Sequence, residues 1–307
     1  MQTTSQKSIV RRAAGENLWL EKRDIAFRNH DFRKPFAYRL LEGEEEVGEA
    51  MLRELIEYAS EKSGDVSVVL LGGRGAQAMY RRIAKLAETD EIDDLLSRLN
   101  VFTQDALAPM RMGNSLSFVR DFERLLGPGF FTKIKSFTPM CTETDDLEGE
   151  LVKYLELLEA AGGIDIFFLG LGPEANAASH LCYIKPGSGA TEQDVAGVIP
   201  ISPSILDHHV NKFKVGGSEV STGDEAECRA ATHILTLGPA AILGARKIVQ
   251  SIVDASTAPG KRESFARMIS TDISDDPGER ARQCDDNPGL WIRLHPNVTS
   301  FVLPDLL

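Results

Sequence analysis

The sequence predicts an α/β fold: a Rossmann-like, mainly parallel sheet with helices on both faces. From residue 66 onward, short apolar runs alternate with longer amphipathic ones, the β-then-α rhythm of right-handed crossovers. The strongest runs break into glycine-rich turns, Leu71-Gly72-Gly73-Arg74-Gly75 and Leu169-Gly170-Leu171-Gly172-Pro173, as strands do where they open onto a crevice. No internal repeat and no Pro- or Ser-rich linker interrupts the later chain, so residues 36–307 read as one domain.

In chain order, residues 1–35 are polar and mixed in charge, carry an isolated Trp19 and Leu20, and show no clear period before Arg33-Lys34-Pro35. They read as an N-terminal extension that packs on the outside or on a partner subunit, which leaves a homo-oligomer open. Residues 44–56 place Val47, Met51, Leu52, Leu55 and Ile56 at helical spacing behind a first turn of acids, a surface helix with one buried face. Strands are then expected at 66–71, 100–103, 134–137, 164–169, 197–201, 233–237, 247–252 and 299–303. Helices are expected at 76–86, 116–126, 146–160, 240–245 and 261–269. The pairs Asp93-Asp94 and Asp145-Asp146 read as solvated helix ends.

Composition sets outer limits on function. At 307 residues, 42% hydrophobic and 26% charged, the chain has the balance of an ordinary globular protein. A net charge of -12 argues against a nucleic-acid partner, which requires a basic footprint, but leaves room for a small anion held by local Lys, Arg and N–H groups. Cys141, Cys182, Cys228 and Cys284 form no C-x-x-C pair, so neither a zinc framework nor a redox motif is visible, and no metal is assigned. The first residues lack an apolar h-region, and no apolar run nears the ~20 residues that span a bilayer. A cytoplasmic protein with reduced thiols and no membrane partner is the expectation.

Several strand ends carry candidate chemistry. Gly72, Gly73, Arg74 and Gly75 open a helix, where N–H groups can cradle an anion and Arg74 adds charge; equally, the glycines can serve close helix–strand packing. This turn is neither a Walker A motif nor a dinucleotide G-x-G-x-x-G. Gly172 belongs to the second turn, which reads either as a binding loop or as a tight βα turn. Asp105, after Val101-Phe102-Thr103-Gln104, would face the same crevice as a proton-transfer carboxylate, or else cap a helix. His208-His209 are adjacent, point in different directions on a helix, and have no carboxylate cluster.

Taken in order, the motifs resemble the superfamily of glucosamine-6-phosphate deaminases and 6-phosphogluconolactonases, over roughly residues 44–303. Gly72-Gly73-Arg74-Gly75 stands where the family has G-G-T/S-P, and Phe102-Thr103-Gln104-Asp105 where the deaminases have F-N-M-D-E. Gly162-Gly163-Ile164-Asp165-Ile166 through Gly172-Pro173 matches G-G-I-D-L-x-L-x-G-I-G-P. Lys185-Pro186-Gly187-Ser188 matches E-P-G-S, and Leu235-Thr236-Leu237-Gly238 matches L-T-V-G. Pro259-Gly260-Lys261 falls where a phosphate-binding lysine is expected, and Trp291 to Asn297 resembles the deaminase ending. The resemblance implies a sugar-phosphate ligand and no metal or nicotinamide cofactor. It also implies an Asp that moves a proton between C1 and C2, and a His, supported by acids, that opens the sugar ring.

Asp105 takes the first role under that resemblance. The family's G-P-D-G-H reads Gly172-Pro173-Glu174-Ala175-Asn176 here, so Glu174 and Asn176 occupy catalytic positions, and Asn cannot titrate. The family's next acid is replaced by Leu181 or, with an insertion, Lys185, and Ala106 replaces a Glu. His180, one turn beyond Asn176 if the segment is helical, is the candidate substitute for the missing His; otherwise it is a structural residue. Lys212 stands where the deaminases have Arg, and Lys261 completes the expected phosphate seat. A lactonase-type hydrolase and a non-catalytic sugar-phosphate sensor are the alternatives to a deaminase.

Overall fold

Strands buried on both faces have no polar side to show water, and the apolar runs of this chain make such a sheet. A computed structural model describes residues 9–22, 31–173 and 179–307. Its strands are β1 (Ile9–Ala14), β2 (Asn17–Lys22), β3 (Arg39–Leu40), β4 (Val66–Leu70), β5 (Leu99–Thr103), β6 (Asp105–Ala108) and β7 (Ser136–Thr138). Then come β8 (Ile166–Leu169), β9 (Gly172–Pro173), β10 (Ser179–His180), β11 (Asp194–Pro200), β12 (His233–Leu237), β13 (Lys247–Ile252) and β14 (Val298–Val302). The helices are α1 (Glu44–Glu61), α2 (Gln77–Ala87), α3 (Asp93–Ser97), α4 (Phe118–Lys133), α5 (Leu147–Ala160), α6 (Pro203–Val215), α7 (Thr222–Arg229), α8 (Pro239–Gly244), α9 (Gly260–Ser270) and α10 (Pro277–Asp286).

Seven strands form a wholly parallel sheet in the order β3-β14-β13-β8-β4-β5-β7. The expected strands at 66–71, 100–103, 134–137, 164–169, 247–252 and 299–303 all lie here, with small shifts at their ends. Side chains alternate between its faces. Val66, Val68, Leu70, Ile166 and Phe168 pack with α1, α2 and α4, while Val69, Phe167 and Leu169 face α5, α8 and the rest of the core. Helices thus flank the sheet on both sides, as the alternating pattern predicts.

The runs at 197–201 and 233–237 are strands, but they do not join the parallel sheet. They are β11 and β12, paired antiparallel in a second sheet of order β1-β2-β11-β12-β6. A strand buried on both faces has the same composition in either sheet, so periodicity carries no information about its partner. Nor does the sequence reading anticipate α6, α7 or α10. In α6, His208, His209 and Lys212 interrupt the apolar positions and blur the helical period.

Within the segment set apart as an extension, β1 and β2 form a hairpin. Gly15, at φ 60, supplies the two-residue turn with Glu16. Trp19 is fully buried, donates its indole N–H to the Ser188 carbonyl at 3.0 Å, and lies over Gly197, where a β-carbon would come within 2.7 Å of the indole. Arg12 ties the same hairpin to buried Asp194 and, at 2.9 Å, to the Gly189 carbonyl. Among the described residues no helix is long and apolar enough to cross a membrane.

Candidate functional site

Four neighbouring strands, β13, β8, β4 and β5, point their carboxyl ends at one cavity of about 130 Å³. This is where an open parallel sheet offers a ligand its loops. From β4 come Gly72 to Gly75, from β5 Gln104 and Asp105, from β8 Gly172, and beyond β13 the chain brings Lys261. Helix α6 covers the opening with His208, His209 and Lys212. An outer cavity of about 520 Å³, bounded by Glu44, Arg74, Arg81, His208 and Lys212, continues from the inner one.

Asp105 reaches this wall by an unexpected route. Gln104 alone separates β5 from β6, so the chain leaves the parallel sheet and enters the antiparallel one within a residue, and Asp105 begins β6 opposite Thr236. It caps no helix. Its Oδ2 lies 3.4 Å from Gln104 Nε2, and its buried Oδ1 has no hydrogen-bond partner among the described residues. Burial raises its pKa to about 7, against a smaller opposing effect of the Gln104 hydrogen bond. A carboxyl poised near neutrality with an unused oxygen can take up and return a proton. Cys182 lies beside it, with Sγ 3.9 Å from Gln104 Oε1; burial and the Asp105 charge push the thiol pKa up, so it stays protonated.

His180 is in a strand, not on a helix one turn after residue 176. It pairs through β10 with Gly172 of β9, because local antiparallel pairing takes up the backbone bonds that a helix would use. Its Nδ1 donates to the Cys182 carbonyl, since a carbonyl can only accept, which leaves Nε2 as an acceptor. Burial holds its pKa at about 4, and the Lys261 charge adds to that effect against the Cys182 hydrogen bond. Glu174 and Asn176 lie outside the described residues. Leu181 is buried, and Lys185 donates to the Pro200 carbonyl at 2.8 Å, so neither supplies an acid here.

The phosphate-seat candidates converge, with one change of role. Gly73 adopts φ 75, a conformation that favours glycine. Gly72 and Gly75 answer to packing: β-carbons there would meet the Phe118 ring at 2.5 Å and Ser251 Oγ at 2.9 Å. Arg74 is bound to Glu44, with contacts of 2.6 and 3.2 Å, so its charge is already matched. Lys212 and Lys261 both approach Asp254. Burial, followed by the nearby positive charges, pushes both ammonium pKa values down.

The two adjacent histidines differ. His209 Nε2 lies 2.7 Å from the Leu116 carbonyl, and its ring stacks on Phe213 at 4.2 Å, a packing role. His208 faces both cavities; burial, with Lys212 and Lys261 nearby, lowers its pKa to about 3 and keeps it neutral. His208, Cys182 and Gln104 are site residues that the sequence reading did not select. The one available signal was the i, i+4 spacing of His208 and Lys212, legible only once α6 is known to be helical.

No model of a known protein family matches the chain. Curated relatives do. Over 164 residues the chain is 26% identical to a glucosamine-6-phosphate deaminase from a Geobacillus species, covering 53% of each protein, so it spans about half the length of that relative. Over 182 residues it is 30% identical to a glucosamine-6-phosphate deaminase from Rhodopirellula baltica, covering 59% of each. A solved monomeric glucosamine-6-phosphate deaminase shares the fold at a TM-score of 0.69 and 20% identity, with 88% of this chain and 98% of that one covered. The 6-phosphogluconolactonase from Trypanosoma cruzi does so at 0.63 and 16%, with 91% and 98% covered. With its motifs in family order and these curated relatives, the chain is similar in sequence to glucosamine-6-phosphate deaminases at low identity, and it shares the fold of the solved deaminase and 6-phosphogluconolactonase.

Proposed function

We propose that the protein binds a phosphorylated sugar or amino sugar, such as glucosamine-6-phosphate, across this cleft, and that Asp105 moves a carbon-bound proton of the ligand. The observation that carries the reading is the unused, buried oxygen of Asp105, with its pKa near 7, in a residue that lines the same cavity as Lys212 and Lys261. The lysines would take the phosphate, leaving the sugar carbons over Asp105. Aldose–ketose isomerisation with loss of ammonia also needs an acid at the ring oxygen. His180, His208 and His209 line the cavity and are neutral in the empty site; His209 Nε2 is engaged by the Leu116 carbonyl, which leaves His180 and His208 as the candidates for that role.

A thermal-shift series with glucosamine-6-phosphate and glucosamine, followed by an ammonia-release assay, tests this. Stabilisation by the phosphorylated sugar alone, with ammonia release that Asp105→Asn abolishes, supports the reading. Lactone consumption without ammonia release would move the protein to the lactonase branch. Stabilisation without turnover of either compound would support the sensor, for which Ala106 and Leu181 at family acid positions, with Asn176 in the sequence, speak. Absence of any stabilisation would remove the phosphate seat.

A further inference from the structure

One buried carboxylate has no part in that reading. Asp254 follows β13; its side chain is wholly inaccessible, and its backbone stands at φ 59, a left-handed conformation that few residues other than glycine adopt. One of its oxygens meets Lys212 Nζ, and the other accepts from Lys261 Nζ at 2.5 Å. Lys261 gives a second N–H to the Val253 carbonyl at 3.1 Å. Both lysines line the inner cavity, whereas Asp254 lines neither the inner nor the outer one. The carboxylate therefore stands behind the two ammonium groups, out of a ligand's path. Each ammonium has three N–H groups, so these bonds leave one on Lys261 and two on Lys212 for the cavity.

Two buried cations side by side tend to shed a proton. Arg74 adds to that tendency, Glu44 opposes it, Asp305 opposes it at Lys261, and His208 faces the pair as a neutral ring. Asp254 is the anion in contact with both.

We propose that Asp254 is the positioning residue of the anion seat: it holds Lys212 and Lys261 together, keeps both charged, and turns their remaining N–H groups toward the ligand's phosphate. The inference rests on the sugar-phosphate reading above. It makes the seat a three-residue device whose strength is set from behind.

Titrating the full-length protein with inorganic phosphate by calorimetry between pH 6 and pH 9.5 tests it. Asn tolerates a left-handed backbone, so Asp254→Asn removes the charge while keeping the shape. The expected result is a loss of about tenfold or more in phosphate affinity at pH 8, the worth of a charge-assisted hydrogen bond. The alkaline decline of binding should also move to lower pH, and Asp254→Glu should recover part of both effects. Lys261→Met should abolish binding. If Lys261→Met abolishes binding while Asp254→Asn leaves affinity and pH profile unchanged, the seat stands and the role of Asp254 is refuted. If Lys261→Met leaves phosphate binding intact, the seat itself is wrong. Should Asp254→Asn fail to fold, the wild-type profile decides: binding held past pH 8.5 supports the proposal, and a decline centred near pH 7 overturns it.

Discussion

A β-carbon on Gly172 would come within 2.0 Å of the imidazole ring of His180. The strand pair β9–β10 thus seats the histidine in a space that only glycine leaves open. Gly172→Ala should push the ring away from the Cys182 carbonyl and into solvent, returning its pKa from about 4 toward about 6.5. The nitrogen chemical shifts of His180 followed against pH would show this; an unchanged titration would mean that the backbone yields instead of the ring.

Asp105→Asn should abolish turnover and stabilise the fold at high pH. The folded pKa is raised from 3.8 to about 7, so the folded state holds a proton that the unfolded state has lost. The residue's cost to stability is absent below about pH 4, grows through the interval, and is complete above pH 7, where it is on the order of 4 kcal/mol. Denaturant unfolding should show the variant more stable than wild type at pH 8, with the gap closing toward pH 4. A gap that does not change with pH would rule out titration of Asp105 as its cause.

His180, His208 and His209 should remain neutral in the empty protein throughout the range from pH 5.5 to 8, because their pKa values lie at about 4, 3 and 4. Their unfolded counterparts bind protons below about pH 6.5, so these three groups lower stability as pH falls through that value. Two-dimensional nitrogen–proton spectra would reveal the tautomers. A midpoint near 6.5 for any of the three would show that its ring is solvated.

Trp19→Ala should cost about 3–5 kcal/mol, the range for removing a buried large aromatic side chain. The loss combines a packing void over Gly197 with one of two hydrogen bonds to the Ser188 carbonyl, Asn17 Nδ2 keeping the other at 3.1 Å. Urea unfolding checks it, and a loss below about 1 kcal/mol would mean that the hairpin is only loosely attached.

The parallel sheet was legible because Val66–Leu70, apolar but for Ser67, and the unbroken apolar run Ile166–Leu169 lead into glycine-rich turns, a pattern that burial on both faces demands. The antiparallel sheet was not, since β11 reads the same whichever partner it takes and β6 begins on a charged residue. In the site, Asp105, Lys212 and Lys261 could be found because each falls at a strand end or family position. His208 was hidden by its neighbour: His208-His209 suggests a pair, and only the helix separates a residue that faces both cavities from one stacked on Phe213. Asp254 carried no local signal, as its role exists only where two lysines distant in sequence meet it.

Gln104 is the joint between the two sheets, and the residue on its far side is the proposed base. A ligand gripped by the lysines at one end and by Asp105 at the other would span that joint like a strut. Occupancy would then be felt well beyond the cavity, as slower amide exchange along β6 and β12 together with β4 and β5. The first sign of a true substrate need not be turnover, but the two sheets beginning to move as one body.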